Sequence, residues 1–207
     1  MRTGDDPDAV RANRARLAQR LGLDTVESWW WLHQVHGAGV VVASGSPPGV
    51  EPKADAAVST EVGTPLVVLS ADCAPLVLAC DDAIGVVHAG WRGLMGGVVD
   101  AAVQALRSMA HGEVRAALGP CIHAAHYEFG RGDLDRVVGR FGSSVEGLTA
   151  EGRPALDLPA AVRVALVEVG VSALEDVEVC TASSSDHFSH RRDHTTGRQA
   201  LVAVLEG

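Results

Sequence analysis

Three apolar runs in the middle of the chain, residues 66–70, 76–80 and 84–88, are divided only by short polar turns. Runs of this length read as neighbouring buried strands rather than independent helices. Helical patterns flank them. Asp6-Pro7-Asp8 reads as a helix start, with Asp6 as N-cap and Pro7 at the first helical position. Val10, Leu17, Ala18 and Leu21 keep helical spacing until Gly22 stops it. Residues 94–109 predict a helix with Val98, Ala102, Ala105 and Met109 on one face. Leu134, Val137, Val138 and Phe141 mark another. Asp157 caps a third, which holds Val162, Ala165, Leu166 and Val169 and closes at Gly170.

Further strands are expected at 26–33, 40–42, 114–118, 177–181 and 199–205, with a Gly/Pro loop at 45–49. Trp29, Trp30 and Trp31 cannot all face one way in a strand, so one is expected in a core and another at a surface or partner interface. There is no internal repeat and no long linker. Residues 1–207 therefore read as a single domain of the mixed α/β (α+β) class.

The length is enough to bury roughly 70% of the unfolded surface without a covalent staple. Cys73, Cys80, Cys121 and Cys180 are irregularly spaced and form no CxxC. They read as core thiols or ligands rather than disulfides. The formal charge of −9 opposes phosphate backbones and argues against nucleic-acid binding. No stretch approaches the ~20 apolar residues of a membrane span, and no signal peptide opens the chain. The expectation is a soluble, cytoplasmic protein. Lys53 is the only lysine, and arginine is the better bidentate binder of phosphate or carboxylate.

Three segments place potential metal ligands at strand ends or in the following turn: 33–37 with His36, 71–75 with Cys73, and 87–93 with His88. One thiolate and two imidazoles suit zinc or copper, and three protein ligands leave a fourth position open. Residue types and spacing alone also allow a hydrogen-bonded buried His88 and a small core thiol at Cys73. Arg92 reads either as an anchor for phosphate or a substrate hydroxyl, or as a structural partner of a carboxylate. Ser189, His190, Arg191 and Arg192 form a basic patch, read as an oxyanion site or a solvated loop. Asp72 reads as an acceptor orienting a ligand histidine or as a turn cap. The glycines near these residues predict close backbone approach.

The motifs HQVHG at 33–37, ADCAPLVL at 71–78, VVHAGWRGL at 86–94, GPCI at 119–122, YEFG at 127–130 and FSHRRDHTTGRQA at 188–200 resemble one family, in its order. That family is the multicopper polyphenol oxidoreductase, or laccase-domain, family, also described as zinc-dependent purine nucleoside phosphorylases. The resemblance implies metal ligands at His36, Cys73 and His88; with the residue chemistry above, Cys73, His88 and Arg92 are the catalytic candidates and His190 and Arg191 the substrate-binding ones. It implies a sandwich of mixed sheets covered by helices. Family members usually carry a strand and an Asn-containing loop before the helix that starts here near residue 6, so the chain is expected to be short at its N-terminus. His123 stands where the family often has a small residue.

The nine histidines include no His-x-His pair, whereas a full multicopper oxidase needs many such ligands. One electrophilic metal with an open position suffices for purine nucleoside chemistry. The leading expectation is therefore one zinc ion, with copper as the alternative. The expected reactions are phosphorolysis of adenosine or inosine, with phosphate as co-substrate, and adenosine deamination. The alternatives are a copper-dependent polyphenol oxidase acting on phenols, a metal-free Cys–His hydrolase with Cys73 as nucleophile and His88 as base, and a metal carrier. Oligomeric state stays open.

Overall fold

The computed structural model describes residues 4–23 and 25–207. Its strands are β1 (Trp30–Trp31), β2 (Val40–Val42), β3 (Ala56–Ser59), β4 (Leu66–Ser70), β5 (Ala74–Cys80), β6 (Ala83–Ala89), β7 (Arg115–Leu118), β8 (Glu146–Leu148), β9 (Pro154–Leu156), β10 (Leu174–Asp176) and β11 (Gln199–Ala203). Its helices are α1 (Pro7–Leu21), α2 (Trp91–Met95), α3 (Val98–Met109), α4 (Arg131–Phe141), α5 (Leu158–Glu168) and α6 (His190–Asp193).

The strands build a six-stranded sheet, β10-β7-β5-β6-β3-β2, a three-stranded sheet, β1-β4-β11, and the small pair β8-β9. In the large sheet β10–β7 and β2–β3 are parallel pairs and the rest are antiparallel. In the small one β1 runs parallel to β4, and β11 antiparallel to it. This is the expected mixed α/β sandwich.

Alternation along the strands explains the continuous apolar runs. Leu76, Leu78 and Val87 join the core under the helices, where α3 and α5 pack. Val77, Ile84 and Val86 point the other way, into a core shared with Leu66 and Val68 of the small sheet. Strands buried on both faces have no reason to alternate apolar and polar residues.

Several helix signals act as read. The Asp6 side chain accepts from Asp8 N–H, and Gly22 closes α1 in the left-handed region at φ 65°. The Asp157 side chain accepts from Ala160 N–H at the start of α5.

Other expectations are corrected. The three central runs are not all neighbours: β5 and β6 pair, but β4 lies in the other sheet and packs across them. Asp72, at φ 94°, turns the chain from one sheet to the other. The helix expected over 94–109 is two helices, because Gly97 takes φ 84° between α2 and α3. The strand expected at 26–33 shrinks to β1, since Ser28 N–H and Oγ–H both bond Thr25 O in a tight turn. The strand expected at 177–181 lies earlier, as β10, with Glu178 at φ 53°; only the Cys121–Cys180 bridge remains there. β3 went unread because its run of alanines begins beside a charged residue, Asp55.

The tryptophans divide as the pleat requires. Trp30 enters the inter-sheet core. Trp29 and Trp31 stack on the opposite side at 5.8 Å and 12°, beneath α1. Trp31 is not a free surface, because the Arg14 guanidinium covers it at 3.6 Å.

Trp29 is 1% exposed and joins the small sheet to α1. Trp29→Ala is expected to cost about 3–5 kcal/mol, read as a lower urea midpoint with little change in slope.

Candidate metal centre

Three of the chain's passages between the two sheets converge at one end of the sandwich. The loop from β1 to β2 carries His36. The turn from β4 to β5 carries Cys73. The passage from β10 back to β11 carries His190 and Arg191. His88 stands at the same end, near the close of β6 and opposite Pro75. Two residues on from Val86, it shares that residue's face and so faces the gap between the sheets. The local backbone is bent to suit: His36 has φ 58°, a left-handed conformation that needs outside support in a non-glycine residue.

That support comes from Asp55, which is fully buried at the entry to β3. Its carboxylate accepts N–H bonds from Val35 at 3.1 Å, His36 at 2.9 Å and Gly37 at 2.7 Å. It also bonds His88 Nδ1 at 2.9 Å. One carboxylate thus fixes the loop of one candidate ligand and the ring of another. Bonding at Nδ1 leaves His88 Nε2 free to coordinate, the usual arrangement for a metal-binding histidine. Gln34 pins the same loop to β4, donating to Leu69 O at 2.7 Å and accepting from Leu69 N–H at 2.8 Å.

The ligand atoms of His36, Cys73 and His88 lie within 4.8 Å of one another. This is the one such donor group among the described residues. The histidine rings meet edge to face at 4.9 Å. The donor set fits a single borderline-soft ion such as zinc or copper, held by two imidazoles and a thiolate with metal–ligand bonds of about 2.0–2.3 Å. Gly90 leaves the room: a Cβ there would lie 3.1 Å from Cys73 Sγ and 3.2 Å from His36 Cδ2.

The electrostatics are set by the same contacts. Burial alone would raise the Cys73 thiol, but hydrogen bonds from His36 and His88 bring it down to about 6. Burial opposes charge on His88, yet Asp55 and Cys73 raise it to about 9. Burial also opposes charge on Asp55. The bonds from His88 and from the Gly37 and Val35 amides outweigh it and hold the carboxyl below its ordinary value.

The group lines a cavity of about 690 Å³ together with Trp91, Arg92, Tyr127, His190 and Arg191, a volume in the range of small-molecule sites. Arg92 is exposed, with its guanidinium 4.4 Å over the Trp91 ring, and it forms no ion pair with a described residue. Its reading as the partner of a carboxylate is therefore dropped. Arg191 donates to Glu128 O at 2.9 Å and lies 5.0 Å over Tyr127. Arg192 leaves the basic patch: it donates to the carbonyls of Thr181, Ser184 and His187 and ties that loop together.

Asp72 orients no histidine. It accepts from Thr181 Oγ–H and from Arg191 N–H, each at 2.6 Å, and so holds the returning loop against the Cys73 turn. Cys80 and Cys121 are buried core thiols, whereas Cys180 is half-buried and accepts from His123 N–H at 3.4 Å. All four cysteines are free. Sequence reasoning missed Asp55 and Tyr127. The signal for Asp55 was a lone carboxylate inside an alanine run. The signal for Tyr127 was its place in YEFG, the chain's only tyrosine.

Fold and site together define an α/β sandwich with a His₂Cys donor cluster on the wall of an arginine-bordered cavity. The chain belongs to the multi-copper polyphenol oxidoreductase laccase family, whose model matches residues 1–206. It is 42% identical to a purine nucleoside phosphorylase of Streptomyces griseus, over 98% of this chain and 84% of the relative. It is 43% identical to one of Streptomyces coelicolor, over 98% and 85%. Among solved structures it is similar to the YlmD protein of Geobacillus stearothermophilus. That match has a TM-score of 0.90 and 31% identity, and covers 100% of this chain and 84% of that one. A Neisseria meningitidis protein matches with a TM-score of 0.87 and 34% identity, covering 100% and 85%. The resemblance drawn from the motifs is borne out.

Two substitutions probe the geometry. Asp55→Asn removes the charge that fixes His88 and is expected to weaken zinc binding about 10–100-fold, read by chelator competition. Because Asp55 titrates lower folded than unfolded, its stabilisation is present above its unfolded pKa near ~3.9 and is lost as pH falls through the lower folded value. The urea stability gap between native protein and Asp55→Asn should therefore narrow in acid. Gly90→Ala should displace Cys73 Sγ or the His36 ring and weaken zinc binding in the same competition, with the fold retained by circular dichroism.

Proposed function

We propose that this protein is a metal-dependent purine nucleoside phosphorylase, using one zinc ion held by His36, Cys73 and His88. The observation that carries the reading is the placement of this donor set on a nucleoside-sized cavity bordered by two arginines. Relatives 42–43% identical bear the phosphorylase name.

When bound, the ion supplies a Lewis acid at an open coordination position. The protein's residues supply the rest. Asp55 holds His88 in one ring orientation and stiffens the loop that presents His36. Arg92 and Arg191, with His190 beside them, bind phosphate through charge-assisted hydrogen bonds and hold it for attack on the ribose C1′. Asp72 places Arg191 by its grip on the backbone there. Adenosine and inosine are the proposed substrates. Adenosine deamination at C6 is proposed as a second activity of the same open position. No nucleic acid or membrane is proposed as a partner, and no helix among the described residues is long and apolar enough to cross a membrane. Free cysteines throughout fit a cytoplasmic setting.

A copper-dependent polyphenol oxidase is the second reading, favoured by the family's description and by a donor set that also suits copper. The single donor group among the described residues weighs against it, since oxygen reduction by a multicopper enzyme requires several metal sites.

The test is to purify the protein, determine zinc and copper, and assay adenosine and inosine with phosphate. Expected are one zinc per chain and release of free base, with both lost in Cys73→Ala. Copper with phenol oxidation and inert nucleosides would establish the oxidase. Activity that survives chelation but dies on thiol alkylation would instead assign Cys73 as a nucleophile paired with His88.

A further inference from the structure

The cavity holds few hydrogen-bonding groups that the fold has not already used. Both Asp72 oxygens are occupied, Gln34 is spent on Leu69, and Ser70 Oγ–H donates to Cys73 O. Asn13 accepts from Arg16, and Arg198 donates to the Thr196 and Gly197 carbonyls. Arg92, His190 and the remaining donors of Arg191 are suited to an anion. Tyr127 is left.

Its position is fixed from several sides. Tyr127 N–H bonds Ala124 O at 3.0 Å, and its carbonyl accepts from Leu156 N–H at 3.2 Å. The ring meets Phe129 edge to face at 5.3 Å, and Phe129 meets Trp91 in the same way at 5.3 Å. Arg191 sits over the ring at 5.0 Å. The ring that lines the cavity is thus already in contact with a guanidinium and with Phe129. No described residue hydrogen-bonds the Tyr127 hydroxyl, and it is not sealed in the interior, where only Gln199 Nε2 lacks a partner. Burial raises the phenol above its ordinary value, so it keeps its proton through neutral pH.

We propose that the Tyr127 hydroxyl is a catalytic hydrogen-bond donor that holds the purine ring as it leaves the ribose. This rests on the phosphorylase reading. In the step, a phosphate oxygen bonds to C1′ while the C1′–N9 bond breaks and its electron pair enters the purine. Negative charge then spreads over the ring nitrogens, N7 included. Tyr127 O–H donates to N7, and the released purine takes its proton from water. A preorganised donor aimed at charge that develops only in the transition state lowers the barrier without tightening ground-state binding.

The test compares inosine with 7-methylinosine, both with phosphate, in native protein and Tyr127→Phe. Methylated N7 cannot accept the bond, and that base leaves without net negative charge. Expected is a loss in kcat on inosine of about 10²–10³-fold, with KM, zinc content and turnover of 7-methylinosine little changed. Equal loss on both substrates, or no loss on inosine, overturns the donor role. A second measurement needs no variant. Tyr127 is the only tyrosine, so 3-fluorotyrosine labels it alone, and its ¹⁹F resonance should shift on titration with hypoxanthine. A resonance unmoved at saturating hypoxanthine overturns the proposal. Native protein inert on every purine nucleoside overturns the phosphorylase reading and the donor role with it. Native activity with an unaffected Tyr127→Phe overturns the donor role alone.

Discussion

A carboxylate with no solvent exposure must be fully hydrogen-bonded, and Asp55 meets that demand with groups the site needs in fixed positions. Three of its bonds come from consecutive amides of the loop that carries His36. The fourth comes from the ring of His88. Removing the charge would leave a left-handed histidine unsupported and a buried imidazole free to turn. The sandwich could still form around such a defect, because the cores on the two sides of Asp55 are built of apolar side chains. The donor cluster could not keep its geometry.

The cavity is built on the same economy. Strands buried on both faces give the site a rigid floor, and the passages between sheets supply its reactive groups. Passages have side chains and backbone free of ladder pairing, whereas strand interiors do not. Asp72 does for the returning loop what Asp55 does for the first one: it accepts from Thr181 and from the Arg191 amide, so that the basic residues reach the cavity edge. α1 lies over the outer face of the small sheet, and Arg14 on Trp31 joins the helix to the cavity rim. The basic residues at the cavity edge are thus placed by a carboxylate that the fold has already paired.

Much of the candidate site was legible in the sequence. His36, Cys73 and His88 stand at the ends of apolar runs or in the turns after them, and their motifs carry a family signature over most of the chain. Arg92, His190 and Arg191 could be named from side-chain chemistry alone, as groups suited to an anion. The basic patch read from the sequence included Arg192 beside Arg191, because adjacent residues of like chemistry differ only in where the short α6 points them. Of the two readings given to Asp72, orienting a histidine or capping a turn, the first is what Asp55 does. Both are acidic residues beside a strand, and nothing local says which one faces a histidine. Tyr127 sat in a quoted motif, yet that its hydroxyl has no hydrogen-bond partner among the described residues becomes visible only in the folded chain.

The sequence by itself determined the class of fold, the helix limits at Asp6, Gly22 and Asp157 and the buried strands, and it singled out the candidate donor residues. These follow from period, capping chemistry and side-chain type, which are local properties. Tertiary structure alone decided which sheet each strand joined, where β3 lay, and that the 94–109 segment breaks at Gly97. It also decided that Asp55 rather than Asp72 faces His88. Each of these depends on contacts between residues far apart in the chain, made where backbone turns at His36 and Asp72 carry it from one sheet to the other.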